Sequence, residues 1–207
     1  LLEQTNLIVP VGEWVLRTVC QQIVSWRSKN LPQIHVAVNI SAAQLLNDNF
    51  VETLMSIVDE FGISPDQIEL EITESIMLEN TEHHQKQLQC LREFGIPISL
   101  DDFGTGFSSL SYLRKFPISV IKIDKSFVDN ALVNEADASL VRAIVMMGKS
   151  LDLQLVAEGI ETRAQWILLK SMGCDFGQGY LLSRPLPAKS LTPILIQGES
   201  FIRQLLA

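Results

Sequence analysis

The sequence predicts an α/β protein of the (β/α)8 TIM-like barrel type, here lacking about its first two strands. Three observations predict it. Short apolar runs rich in β-branched residues alternate six times with longer segments of helical period. No hairpin signal separates them, which asks for parallel strands with helices outside the sheet. A polar side chain stands at or near the C-terminal end of every strand: Asn39, Glu71, Asp101 with Asp102, Lys122 with Asp124, Glu158, and Gln178. In an open doubly wound sheet, ligand groups gather at one switch point, whereas in a barrel they come from many strand ends. A barrel needs eight strands, so two are expected upstream of Leu1.

The elements follow in order. An amphipathic helix from about Val11 to Lys29 comes first. Strands are expected at 35–41, 67–73, 96–102, 119–124, 153–159 and 174–180, the first five rich in Val, Ile or Leu. Between and after them fall helices near 42–61, 80–94, 108–115, 135–151, 162–172 and 188–206. Gly62, Gly95 and Gly173 stand where helix C-caps are expected. His83 and His84 fall on a polar helix and read as solvated; Met146 and Met147 read as core.

With 207 residues and 47% hydrophobic content the chain suits one sizeable core, and one domain over 1–207 is expected. The formal charge of −8 and the lack of any Lys/Arg-rich run argue against DNA as a partner. An acidic protein that handles an anionic phosphodiester needs local cations. Cys20, Cys90 and Cys174 are too few and too scattered for a disulfide framework, which suits a cytoplasmic chain. No apolar run reaches the ~18 residues of a membrane span, so the chain is not expected to insert in a membrane itself, although a parent protein can be anchored.

The chemistry is concentrated in carboxylates at strand ends. A carboxylate inside an apolar strand is costly to bury unless paired or metal-bound, yet Glu71, Asp101, Asp102 and Glu158 all end strands of Val, Ile, Leu and Ala. On one barrel rim these acids converge, and each like-charge pair at close range repels by roughly 4 kcal/mol at moderate dielectric. Oxygen donors from Asp, Glu and Asn suit Mg²⁺ or Mn²⁺ better than zinc. Strand alternation puts Lys122 and Asp124 on the face opposite Ile121 and Ile123, so Lys122 points into the rim. There it either pairs with Asp124 or steadies a water or phosphate oxygen; a Schiff-base lysine is a rival that the surrounding carboxylates disfavour. Glu158 is the best placed general base, with Glu161 three residues on.

The segments VNIS at 38–41, ELEITES at 69–75, DDFGTGFSSLSYL at 101–113, IKIDKSFV at 121–128, AEGIET at 157–162 and QGYLLSRPLP at 178–187 resemble, in order, the motifs of the EAL-domain family. The resemblance runs through essentially the whole chain and covers the C-terminal three-quarters or so of such a domain; the Glu-Ala-Leu segment is absent. It implies metal-dependent hydrolysis of cyclic di-GMP to linear pGpG, a cyclic di-GMP phosphodiesterase activity that lowers a bacterial second messenger, with two Mg²⁺ or Mn²⁺ ions. A receptor module that binds cyclic di-GMP without turnover is the alternative. By resemblance Asn39, Glu71, Asp101, Asp102 and Glu158 ligate metal, Lys122 holds the attacking water, Glu158 acts as base and Glu161 supports the site. Gln178 lines the site, and Glu74 steadies the loop after the double-aspartate strand. The family also implies a homodimer and an upstream sensor or GGDEF-type domain in the parent protein.

Overall fold

The computed structural model describes residues 2–5, 7–79, 82–105 and 113–206. The described residues form two compact units, 2–100 with 113–118, and 101–105 with 119–206. The strand β3 (Ile98–Phe103) runs from the first into the second.

The first unit begins with α1 (Ile8–Arg27), whose buried face is Leu16, Cys20, Ile23 and Trp26 at helical spacing. Gly12 on that face lets α1 approach α2 (Ala42–Leu45) closely: a Cβ there would lie 2.1 Å from Gln44 Nε2. Gln44 is fixed by a capping box with Ser41, so it cannot move freely. The helix expected over 42–61 is two, α2 and α3 (Phe50–Phe61), because Asn47, Asp48 and Asn49 break the apolar period and turn the chain. Gly62 ends α3 in the left-handed conformation (φ 56°), as its position predicts.

Strands β1 (Val36–Asn39) and β2 (Ile68–Thr73) pair in parallel, with Asn39 in register with Glu71. A short helix, α4 (Glu74–Glu79), follows β2 directly and is not among the expected elements. Then comes α5 (Glu82–Phe94), which carries a correction: His84 is buried rather than solvated, while its neighbour His83 bonds Gln87 at 2.7 Å. A polar helix still has an inner face, and one histidine of the pair falls on it. β3 follows β2 in the sheet order.

In the second unit the sheet continues β3, β4 (Val120–Ile123), β5 (Gln154–Ala157) and β6 (Phe176–Gly177), with β4–β5 and β5–β6 parallel. An unforeseen helix α6 (Lys125–Asn130) starts at once after β4, N-capped by Asp124, whose carboxylate accepts from the Ser126 amide at 2.9 Å. Helix α7 (Glu135–Ser150) buries Val141, Ile144 and Val145; Met146 faces outward, 73% exposed, against the core reading. Helix α8 (Arg163–Met172) opens on a capping box between Thr162 and Gln165 and closes at Gly173 (φ 101°). The strand expected over 174–180 shrinks to two residues, since Gly177 and Gly179 leave few side chains to hold a ladder. The last expected helix is two, α9 (Ala188–Gln197) and α10 (Glu199–Leu206), parted by Gly198 at φ 54°.

The helix expected near 108–115 and most of the loop after Asp102 lie outside the described residues. No described helix is long and apolar enough to cross a membrane.

Candidate active site

Three strand ends of the second unit meet around one buried ammonium. Lys122 sits in β4 with its side chain 5% exposed, where alternation aims it away from the helices behind Ile121 and Ile123. Its Nζ lies 3.0 Å from Asp101 Oδ1 at the end of β3 and 2.8 Å from Glu158 Oε1 just past β5. The two carboxylates are 16% and 17% exposed. Glu158 is held there by its main chain, whose N–H donates to Ile123 O at 3.1 Å and extends the β4–β5 ladder by one bond.

Asp102 completes an acidic triad with Asp101 and Glu158: one carboxylate oxygen of each lies within 4.8 Å of the others. Its backbone is the unusual feature. Asp102 takes φ 54°, a left-handed conformation that non-glycine residues rarely adopt, and its carbonyl accepts from the Thr105 hydroxyl at 2.9 Å and amide at 3.3 Å. Strain of this kind persists where the surroundings over-determine it, and here it turns the second aspartate of the pair out of strand alternation. The adjacency of the two acids was legible in the sequence; the left-handed turn that lets both serve one site was not.

The electrostatics follow from crowding. Loss of hydration, then the charges of Asp101 and Asp124, push the Asp102 carboxyl above its ordinary value. Partial burial would raise Asp124 too, but hydrogen bonds from the Ser126 hydroxyl and amide outweigh it and hold that carboxyl below its ordinary value. Asp124 therefore serves as the helix cap of α6 and as an anionic neighbour of Asp102. One lysine against three converging carboxylates leaves negative charge uncompensated, and this donor set of hard oxygens fits a hard divalent cation.

Glu161 and Gln178 lie beside this cluster, lining a cavity of about 250 Å³ together with Lys125, Glu158, Gly159, Gly179 and Tyr180. Glu161 pairs with Lys125 at the start of α6, and a hydrogen bond from that ammonium, reinforced by its charge, holds the glutamate below its ordinary value. Gln178 is anchored by its main chain, donating to Ala157 O at 2.8 Å and accepting from Ile160 N at 3.0 Å.

In the first unit Asn39, the last residue of β1, is in register with Glu71, two residues before the end of β2; Glu71 is buried and Asn39 exposed. Glu74, the first residue of α4, is buried with neither carboxylate oxygen hydrogen-bonded among the described residues. Sequence reasoning missed Lys125, Tyr180, Gly159 and Gly179. The glycines had a signal, since both flank residues already singled out, Glu158 and Gln178.

The geometry is that of an α/β protein with an acidic cluster that could hold a cation at the C-terminal ends of parallel strands. A family model described as "EAL domain" matches residues 1–185, so the chain belongs to the EAL-domain family. It is 41% identical over 198 residues to the signaling protein YkoW of Bacillus subtilis, covering 96% of this chain and 25% of that protein. It is also 41% identical over 186 residues to the cyclic di-GMP phosphodiesterase PdeR of Escherichia coli, covering 90% of this chain and 28% of that one. The chain thus spans about a quarter of the length of these curated relatives.

Among solved structures, the PaMucR phosphodiesterase in complex with c-di-GMP matches with a TM-score of 0.87 and 40% identity, over 92% of this chain and 77% of that one. Klebsiella pneumoniae BlrP1, solved as a manganese/cy-diGMP complex, matches with a TM-score of 0.73 and 30% identity, over 82% of this chain and 44% of that one. The (β/α)8 TIM-like barrel class expected from the sequence is the fold of this family, and six of its strands fall within the described residues.

Proposed function

We propose that this chain is the catalytic part of a cyclic di-GMP phosphodiesterase, using two Mg²⁺ or Mn²⁺ ions to hydrolyse the cyclic dinucleotide to linear pGpG. The observation that carries the reading is the cluster of Asp101, Asp102 and Glu158 around Lys122, with ligand oxygens within 4.8 Å of one another. Relatives named for this activity and solved with this dinucleotide supply the substrate.

Asp101, Asp102 and Glu158 would hold metal, with Asn39 and Glu71 added by resemblance. A divalent ion bound there would lower the pKa of a coordinated water and neutralise charge on the phosphodiester. The chain's own residues do the rest. Glu158, 2.8 Å from the Lys122 ammonium, accepts the proton of the attacking water as general base. Lys122 donates to the attacking water, holding it in line with the 3′ oxygen, whose bond to phosphorus breaks as the new P–O bond forms and which takes up a proton from solvent to leave as a hydroxyl. Gln178 and Glu161 line the substrate cavity. By resemblance Glu74 would steady the loop that follows Asp102.

By resemblance the protein works as a homodimer, with sensor or GGDEF-type modules elsewhere in a longer parent. The cytoplasm suits the three free thiols. The experiment is turnover of cyclic di-GMP in Mn²⁺ or Mg²⁺ beside a Glu158→Ala control, with pGpG resolved by chromatography. Turnover that vanishes in the control is expected. Binding without turnover would make the chain a receptor, and no binding would overturn the reading.

A further inference from the structure

A cavity of about 170 Å³ opens in the first unit at the starts of β1 and β2, the ends away from Asn39 and Glu71. Its apolar wall is Ile23 and Trp26 from α1, then Leu31, Pro32 and Ile34 from the segment that leads into β1. An apolar cavity of about 150 Å³ is large enough to bind benzene, so this one admits a single ring with a small substituent.

The local sequence builds these walls. Beyond α1, Asn30 takes the left-handed conformation (φ 56°); its N–H donates to Arg27 O at 3.0 Å and that of Leu31 to Trp26 O at 3.3 Å, which folds Leu31 back toward the last turn of the helix. Ile23 and Trp26 are almost fully buried, so packing fixes them. Gln67 is buried too, and its carboxamide is engaged at both ends: Oε1 accepts from Ser64 N at 3.3 Å and Nε2 donates to Ile34 O at 3.2 Å. Gln33 is tied to Asp66 Oδ2 at 3.1 Å. Arg27 differs from both. Its Nη1 donates to Gly62 O at 2.7 Å, which anchors the guanidinium at the end of α3, yet it forms no ion pair with any described residue. Among the described residues the cavity therefore has one charged lining group, a cation without a counter-charge.

We propose that this cavity binds a small aromatic carboxylate, its ring against Trp26 and Ile23 and its carboxylate on the Arg27 guanidinium. Three features select that class. A guanidinium anchored through one N–H to a neutral carbonyl keeps further donors in the planar fork that a carboxylate matches. The Trp26 indole gives an aromatic ring a face or an edge to pack on. A rigid ring fills the space with no rotors to freeze, whereas an alkyl chain of similar volume loses that freedom on binding. Neither Asn39 nor Glu71 lines the cavity, so this ligand is distinct from the phosphodiester substrate.

The test titrates benzoate, benzyl alcohol and hexanoate into the whole chain carrying ¹⁵N-labelled tryptophan, at constant ionic strength and neutral pH. It follows the Trp26 indole N–H resonance, assigned with Trp26→Phe. Benzoate is expected to shift Trp26 saturably and to leave Trp14, exposed on α1, unmoved. It should bind about ten-fold or more tightly than benzyl alcohol, as a charge-assisted pair on arginine requires, and more tightly than hexanoate. Arg27→Gln should abolish the advantage of benzoate while binding benzyl alcohol as the wild type does, a split that general damage to the fold would not produce. No saturable shift at Trp26, benzoate no tighter than benzyl alcohol or hexanoate, or an Arg27→Gln protein that keeps the preference for benzoate overturns the proposal. If Arg27→Gln does not fold, the comparison of the three probes in the wild type still tests it in full.

Discussion

Lys122 and Glu158 meet at 2.8 Å across neighbouring parallel strands, and the same ammonium reaches Asp101 at 3.0 Å on the other side. It is a buried cation shared between two carboxylates that also belong to the candidate metal cluster. Removing one partner from such a group leaves charge uncompensated.

Lys122→Met therefore has two expected effects. In EDTA it destabilises the protein by about 3–5 kcal/mol, the usual cost of breaking a buried ion pair from one side. Added Mn²⁺ recovers more stability in the variant than in the wild type, because the carboxylates are then free for the ion. Urea unfolding with and without Mn²⁺ reads both, and a Lys122→Met protein as stable as the wild type in EDTA contradicts the account.

Gly12 and Gln44 form a tight crossing of α1 and α2. Gly12→Ala gains helix propensity but drives a methyl into a glutamine locked in its capping box. Overpacking of this kind costs about 1–3 kcal/mol, against a gain of about 1 kcal/mol from propensity, so a net loss is expected. A raised urea midpoint for Gly12→Ala would show that Gln44 yields without loss.

The Glu161–Lys125 pair has a definite pH signature. A carboxyl held below its ordinary value contributes stability that is present above the unfolded-state pKa and is lost as pH falls through the folded one. Titration of the Glu161 side chain by NMR should give a midpoint below that of an ordinary glutamate, moving up in Lys125→Ala. The pair is solvent-exposed, so the global unfolding midpoint should barely respond.

The fold was legible where periodicity speaks for itself. The alternation of apolar runs gave six strands in order, and the glycines at 62 and 173 end helices in the predicted left-handed conformation. Short helices were not legible: α4 and α6 are six residues each, too brief to display a 3.6 period, and they start directly at strand ends. Asp124 illustrates the difficulty, because its service as N-cap of α6 and its contact with Asp102 are both compatible with a polar residue at a strand end. The residue types of the site were readable because carboxylates and a lysine stood in otherwise apolar strands. The Lys125–Glu161–Tyr180 arrangement brings together residues 19 to 55 positions apart, and no local pattern encodes it.

The measurement that tests the central claim most directly is hydrolysis of cyclic di-GMP in ¹⁸O-labelled water, with Mn²⁺ or with EDTA, followed by mass spectrometry of the product. Attack by water held at the Asp101, Asp102, Glu158 and Lys122 cluster predicts one ¹⁸O in the terminal phosphate of pGpG, only when the metal is present, and none formed by Glu158→Ala. Product formed in EDTA, or undiminished in Glu158→Ala, would contradict the account.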